Sequence, residues 1–163
     1  MATVTGLREI EQAMEGLTKA AGRGVLRRAG IKALEPMAED ARGRAPDDPA
    51  TTGFDLKKSI TVGTKLSRSQ RKALRKAGGK SAVEVYMGPG PLPQAIPSEF
   101  GTSPFTNGGI FAGTQNPGVK AQPYMRPAWD GGKDRLLNDL KDELWAEIEK
   151  AAARAARKAA RAG

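Results

Sequence analysis

The sequence predicts an α+β fold: a small antiparallel β-sheet flanked by N-terminal helices and a long C-terminal helix, with long Pro/Gly-rich loops. Three observations predict it. Apolar residues recur at spacings of three and four at both ends of the chain. Two short runs in the middle alternate apolar with polar residues. Between them and the C-terminal segment, residues 88–124 are dense in proline. At 163 residues the chain has the size of one domain, with no internal boundary evident.

Residues 1–44 read as helices. Leu7, Ile10, Met14 and Leu17 form the first stripe, and Gly22 and Gly24 are expected to interrupt it. Leu26, Ile31, Leu34, Met37, Ala38 and Ala41 form the second, with Pro36 marking a kink or a new start. Ala45-Pro46-Asp47-Asp48-Pro49 ends it, because each proline biases its predecessor away from helix. The segment Leu56–Gly63 reads as a half-buried strand, with Ile60 and Val62 alternating with Ser59 and Thr61. Ser81–Met87 reads as its partner, with Val83 and Val85 on one face. Between them, residues 65–80 read as a short basic helix: Ser67 and Gln70 form a capping-box pattern and Gly78-Gly79 closes the segment.

Seven prolines between Pro89 and Pro123 exclude a long helix there. Gly108-Gly109-Ile110-Phe111 is either a brief strand or a loop tip. A loop of this length in a compact domain points to a job or to disorder until binding. The C-terminal helix starts near Pro127 or restarts after Gly131-Gly132. Leu137, Leu140, Leu144, Ile148 and Ala151 give it one apolar stripe. From residue 133 onward it spans roughly 45 Å at about 1.5 Å per residue, more than a small core covers. Its Ala/Arg end is therefore expected to project or to pack on a neighbour.

The chain has no cysteine and no histidine. That removes disulfides, thiolate nucleophiles, ordinary zinc sites and Ser/His/Asp or Cys/His catalysis. Acidic pairs remain at Asp47-Asp48 and at Asp139, Asp142 and Glu143. The first sits in a turn and the second early in a helix, where acids have structural roles. No catalytic residue, metal site or cofactor is expected. No apolar run is long enough for a membrane span, the N-terminus lacks the pattern of a secretory signal, and no membrane partner is expected.

The net charge of +9 is unevenly placed. Lys65, Arg68, Arg71, Lys72, Arg75, Lys76 and Lys80 fall in one acid-free segment. Lys150, Arg154, Arg157, Lys158 and Arg161 fall in another. Together they hold 12 of the 27 basic residues, leaving 15 against 18 acidic ones elsewhere. Such stripes track phosphates or dock on acidic protein surfaces. No aromatic residue is interleaved with the first, which argues against base stacking.

Three segments in order carry a resemblance. They are Ala45-Pro46 with Thr52-Gly53-Phe54-Asp55-Leu56-Lys57-Lys58-Ser59-Ile60; Glu99-Phe100-Gly101-Thr102; and Gln122-Pro123-Tyr124-Met125-Arg126-Pro127-Ala128. Together they resemble the tail-component, or tail-completion (neck), family of long-tailed bacteriophages. The resemblance covers about residues 1–130 and is specific only at these motifs. Pro91–Pro97 replaces a Tyr-Ala pair usual in that family.

The resemblance implies a non-enzymatic virion protein of the head–tail junction or tail top. It implies a symmetric ring, of six copies, around the DNA channel, needed for tail completion and head–tail joining. The expected partners are other copies of the chain and neighbouring neck and tail proteins (head-closure, tail terminator or tail tube), with non-specific contact to genomic DNA. The place is the virion, and the host cytoplasm during assembly. Residues 65–80 or 150–161 are expected to meet acidic surface on an adjacent subunit or ring; a lumen-facing, DNA-contacting placement ranks second. On the motifs themselves, Gly53 and Gly101 are expected to permit tight turns, Phe100, Tyr124 and Trp129 to anchor loops, and Arg126 to pair with Glu99. The alternative from another class is a free basic nucleic-acid-binding protein of ribosomal or histone-like type.

Overall fold

A computed structural model describes residues 8, 10, 11, 15, 19–47, 55–65, 68, 72 and 83–162. Its architecture is α+β, with two small antiparallel two-stranded sheets and a long C-terminal helix. Near the N-terminus Arg8, Ile10, Glu11 and Glu15 are helical; Leu7, Met14 and Leu17 lie outside the described residues.

Helix α1 (Lys19–Arg44) runs through Gly22, Gly24 and Pro36 without a break. The glycines do not end it, as the sequence led us to expect, because the helix is held along its length by burial. Val25, Ala29, Ala33, Met37, Ala41 and Ala45 recur every four residues and are all buried. The larger Leu26, Ile31 and Leu34 are only half-buried. Packing of small residues outweighs a glycine penalty of about 1 kcal/mol per position. Pro36 leaves the Lys32 carbonyl without its helical donor, and both residues lie on the exposed side, where water replaces it.

Next come the single-turn helix α2 (Leu56–Ser59) and strand β1 (Thr61–Gly63). The expected strand from residue 56 is therefore a helical turn for its first half. Local bonds decide this: the Lys58 N–H donates to the Asp55 carboxylate at 3.1 Å, and the Ser59 hydroxyl donates to the Leu56 carbonyl at 2.7 Å. Strand β2 (Tyr86–Gly88) pairs with β1, and residues 83–85 are not strand. In the basic insert, Arg68 and Lys72 are helical; the capping-box residues and Gly78-Gly79 lie outside the described residues.

The proline-rich region holds helix α3 (Ala95–Phe100), strand β3 (Phe105–Thr106), a 3-10 turn (Gly109–Phe111) and strand β4 (Gln115–Asn116). Phe105 faces Asn116 and Thr106 faces Gln115 in the β3–β4 pair, and a further bridge joins Thr102 to Val119. Gly108–Phe111 is thus the tip of a hairpin. Helix α4 (Met125–Ala162) follows and passes through Gly131-Gly132. Gly132 serves packing rather than termination: a Cβ there would overlap the side chain of Met37.

By contact the chain divides into two units. One comprises Met1–Pro36, Val62–Tyr86 and Lys133–Gly163. Its core joins Ile10, Val25 and Ile148, with Leu144 and Ala151 packed against them. Leu137 lies on the same face as Ile148, three turns earlier, yet is about half exposed, so the apolar stripe outruns its cover. Alanines 152, 153, 156 and 160 are exposed. The other unit comprises Met37–Thr61 and Met87–Gly132, and buries Leu56, Ile60, Ala95, Tyr124 and Ala128. Among the described residues, no helix is long and apolar enough to cross a membrane.

Candidate functional site

Two of the three recognisable motifs meet in the second unit, at the start of α4. A helix leaves its first N–H groups without internal partners. Here Glu99, from α3, supplies them. Its Oε2 accepts the backbone N–H of Tyr124 at 2.7 Å and of Met125 at 2.9 Å, and its Oε1 accepts that of Arg126 at 3.0 Å. The next residue is Pro127, which has no N–H. Every opening donor of α4 is thus either bound by one carboxylate or absent. The negative charge also sits at the positive end of the helix dipole. Burial pushes the Glu99 carboxyl up, and the three N–H bonds from Met125, Tyr124 and Arg126 outweigh it, so the group titrates below its ordinary range.

The surrounding bonds fix the joint further. The Tyr124 hydroxyl donates to the Ala95 carbonyl at 3.1 Å from a buried ring, and the Gln122 N–H donates to the Ser98 carbonyl at 2.7 Å. Gly101 ends α3 with φ +72°, and a Cβ there would come within 2.9 Å of the Val119 carbonyl oxygen. The tight turn expected at Gly101 is present; Gly53 lies outside the described residues.

Arg126 does not pair with Glu99 through its side chain as expected. Only its backbone N–H reaches the carboxylate. Its guanidinium lies over the Phe100 ring, 5.4 Å from the centroid, a cation–π contact. Three backbone donors already occupy most of the roughly four acceptor sites of the Glu99 carboxylate, and the guanidinium rests on the ring instead. Of the expected aromatic anchors, Tyr124 is buried, whereas Phe100 and Trp129 are largely exposed.

The first motif lies in the same unit. Leu56 and Ile60 are buried, and Ser59 closes the α2 turn and accepts the Gly90 N–H at its carbonyl, 3.0 Å away. Pro46 is half-buried, Pro127 half-buried, Ala128 buried and Pro123 exposed. Thr102 pairs with Val119 in both directions, at 2.9 and 3.2 Å.

Of the basic candidates, Lys65, Arg68, Lys72, Arg154, Arg157 and Arg161 are exposed. Arg71, Arg75, Lys76, Lys80 and the Lys158 side chain lie outside the described residues. The acidic pairs are engaged in ion pairs: Asp47 with Lys57, Asp139 with Arg135, Asp142 with Lys141 and Glu143 with Lys32. Asp48 lies outside the described residues. Among the described residues no cluster of three or more acidic side chains is placed to hold a metal ion.

A second buried carboxylate escaped the sequence reading. Glu147, in the first unit, is nearly inaccessible and accepts from Arg28 Nε and from Lys32 Nζ, the latter at 2.8 Å. Hydrogen bonds from Lys32 and Arg28 hold its pKa down at about 2. A signal for it existed. Glu147 shares the helix face of Leu144 and Ala151 by i−3 and i+4 spacing, which places this acid beside the apolar stripe.

No protein family, curated protein or solved structure was found to match the chain.

Proposed function

We propose that this chain is a structural, non-enzymatic subunit of the neck or tail top of a long-tailed bacteriophage. In this reading it forms a symmetric ring around the DNA channel and is needed for tail completion and head–tail joining. The observation that carries the reading is the joint at the start of α4. Glu99 and the Pro123–Pro127 segment are two of the motif segments that resemble the tail-component family, and they are bonded to one another through every opening donor of the helix. Segments selected by resemblance alone thus form one physical unit, which is how motif residues of a scaffold behave.

Assembly also gives the exposed cations a role. Arg154, Arg157 and Arg161 project from the end of α4 and are matched to an acidic surface on an axial neighbour. Charge reversal at these three residues is then expected to block joining without unfolding the chain. Electron microscopy of intact particles of the phage that encodes the chain tests the whole reading. Density for the chain, with rotational symmetry, is expected at the head–tail junction, and particles lacking the chain are expected to accumulate as separate heads and tails. Purified virions devoid of the chain would overturn the reading. A particle that falls to the size of a monomer on nuclease treatment would favour a nucleic-acid-binding protein instead.

A further inference from the structure

Helix α3 is inside out. A surface helix normally hides its apolar residues and shows its charges. In α3 the acid, Glu99, is buried with Ala95, while Ile96 and Phe100 stand on another face at 72% and 62% exposure. They are four residues apart and form one apolar ridge. Trp129, one turn along α4 from Arg126, is exposed as well, and Arg126 itself lies over Phe100.

The same unit carries a second apolar feature. The hairpin that leaves Gly101 is tied at its base by the Thr102–Val119 bridge and continues through the Phe105–Asn116 and Thr106–Gln115 pairs. Its tip is built rather than loose. The Asn107 N–H donates to the Thr114 carbonyl at 2.8 Å, the Gly113 N–H to the Asn107 carbonyl at 3.1 Å, and the Thr114 hydroxyl to the Phe111 carbonyl at 2.8 Å. This frame holds Ile110 and Phe111 in solvent, at 96% and 69% exposure. The five steps from Thr102 to Asn107 put the tip roughly 16 Å from its base at about 3.3 Å per step. No residue from 100 to 119 is charged, in a chain where 28% are.

We infer that the hairpin tip of one copy (Ile110 and Phe111, with Phe105) seats on the Ile96–Phe100–Trp129 ridge of the next, in a head-to-tail contact. The inference rests on the ring reading above and names its interface. Two observations select a second copy as the occupant. The tip and the ridge are different apolar surfaces on one unit, and closing a ring requires two different complementary patches on each subunit. Both are apolar and the tip carries no charge, so identical copies with a net charge of +9 meet there with the least repulsion; a nucleic acid would need cations that the hairpin lacks. Taking about 150–250 Å² for a fully exposed aromatic side chain, the tip and the ridge leave roughly 400 Å² each, so one tip-on-ridge contact buries roughly 800 Å² in total, a small interface that a closed ring repeats at every joint.

Cysteine cross-linking of the full chain tests this, because the chain has no cysteine of its own. Phe111→Cys alone and Phe100→Cys alone are expected to give no intermolecular disulfide. Phe111→Cys with Phe100→Cys in one chain is expected to give a ladder of multimers on oxidation. In light scattering, Ile110→Asp/Phe111→Asp (tip) and Ile96→Asp/Phe100→Ser (ridge) are each expected to be monomeric with unchanged circular dichroism. Their equimolar mixture is expected to give a species of twice the 17.2 kDa chain mass, since one intact tip and one intact ridge remain. A single-cysteine dimer from Phe111→Cys means tip-to-tip pairing and overturns the proposal. Oligomers that persist in both charged variants overturn it too, while leaving a ring through another surface standing. A wild-type chain that neither cross-links nor associates, or that binds phospholipid vesicles through the tip instead, also overturns it. The neck reading is decided separately, by density in virions.

Discussion

Glu99 and Glu147 are both buried carboxylates, one in each unit, and they are satisfied by opposite means. Glu99 takes three backbone N–H groups whose positions are set by the first turn of α4. Glu147 takes long side chains: Arg28 and Lys32, each about 40% exposed, with Lys150 Nζ 3.7 Å away beside them. The backbone donors of the first have nowhere else to go. The cations of the second can swing into water. An acid held by backbone is a structural joint, and an acid held by surface cations is a clamp that solvent can loosen.

The largest effect should therefore come from Glu99→Ala, which orphans three donors at a buried helix start. We expect a loss of about 3 kcal/mol, read as a lowered midpoint in urea unfolding. Glu99→Gln keeps one oxygen but turns an NH₂ toward a backbone donor, and should recover only part of that loss. Glu147→Ala should cost less, about 2 kcal/mol, because Arg28 and Lys32 regain water. A Glu147 variant as damaging as Glu99→Ala would break the comparison.

Acid sharpens the comparison next. Both carboxyls titrate lower in the folded chain than in the unfolded one. Their stabilisation is then complete above the ordinary carboxylate range and is lost as protons bind. For Glu147 the loss runs from about pH 4.5 down to about 2. Glu147→Gln should flatten that part of the stability–pH curve. Added salt should weaken the wild-type clamp more than the wild-type joint, because only the clamp uses half-exposed charges. The smallest effect belongs to Arg126→Ala, about 0.5–1 kcal/mol for an exposed cation–π contact, with the Glu99 bonds intact. A larger loss would mean that the Arg126 side chain, and not only its backbone, supports the joint.

Much of the joint was legible before the structure. Glu99 and Tyr124 stood out only within the segments that carry the resemblance, Pro127 also as a first-turn helix residue, and the capacity of Gly101 for a tight turn follows from glycine alone. Their bonding was not legible, because an Arg near a Glu reads as an ion pair and nothing local says that backbone donors come first. The glycines were read less well. Gly22 and Gly24 read as an interruption, yet their helix continues under burial, and Gly131-Gly132, the second of two starts expected for the last helix beside Pro127, lies inside it, where a Cβ on Gly132 would overlap Met37. The turn at Leu56–Ser59 hid inside a strand-like alternation because Asp55 and Ser59 bond locally. The Glu147 clamp joins residues 119 and 115 positions apart, a separation no sequence pattern spans.

The uncharged hairpin has a practical consequence for protease footprinting. Between Lys80 and Lys120 the chain has no lysine or arginine. Trypsin therefore releases residues 81–120 as one long peptide, carrying Glu99 and the hairpin tip together, while it cuts the Ala/Arg end of α4 into short pieces. A tryptic map is blind to the tip and dense everywhere else. Chymotrypsin reverses this, with Phe105 and Phe111 as exposed cleavage sites in the free chain. Comparing the two digests, alone and in the assembled particle, separates protection of the prong from protection of the basic end.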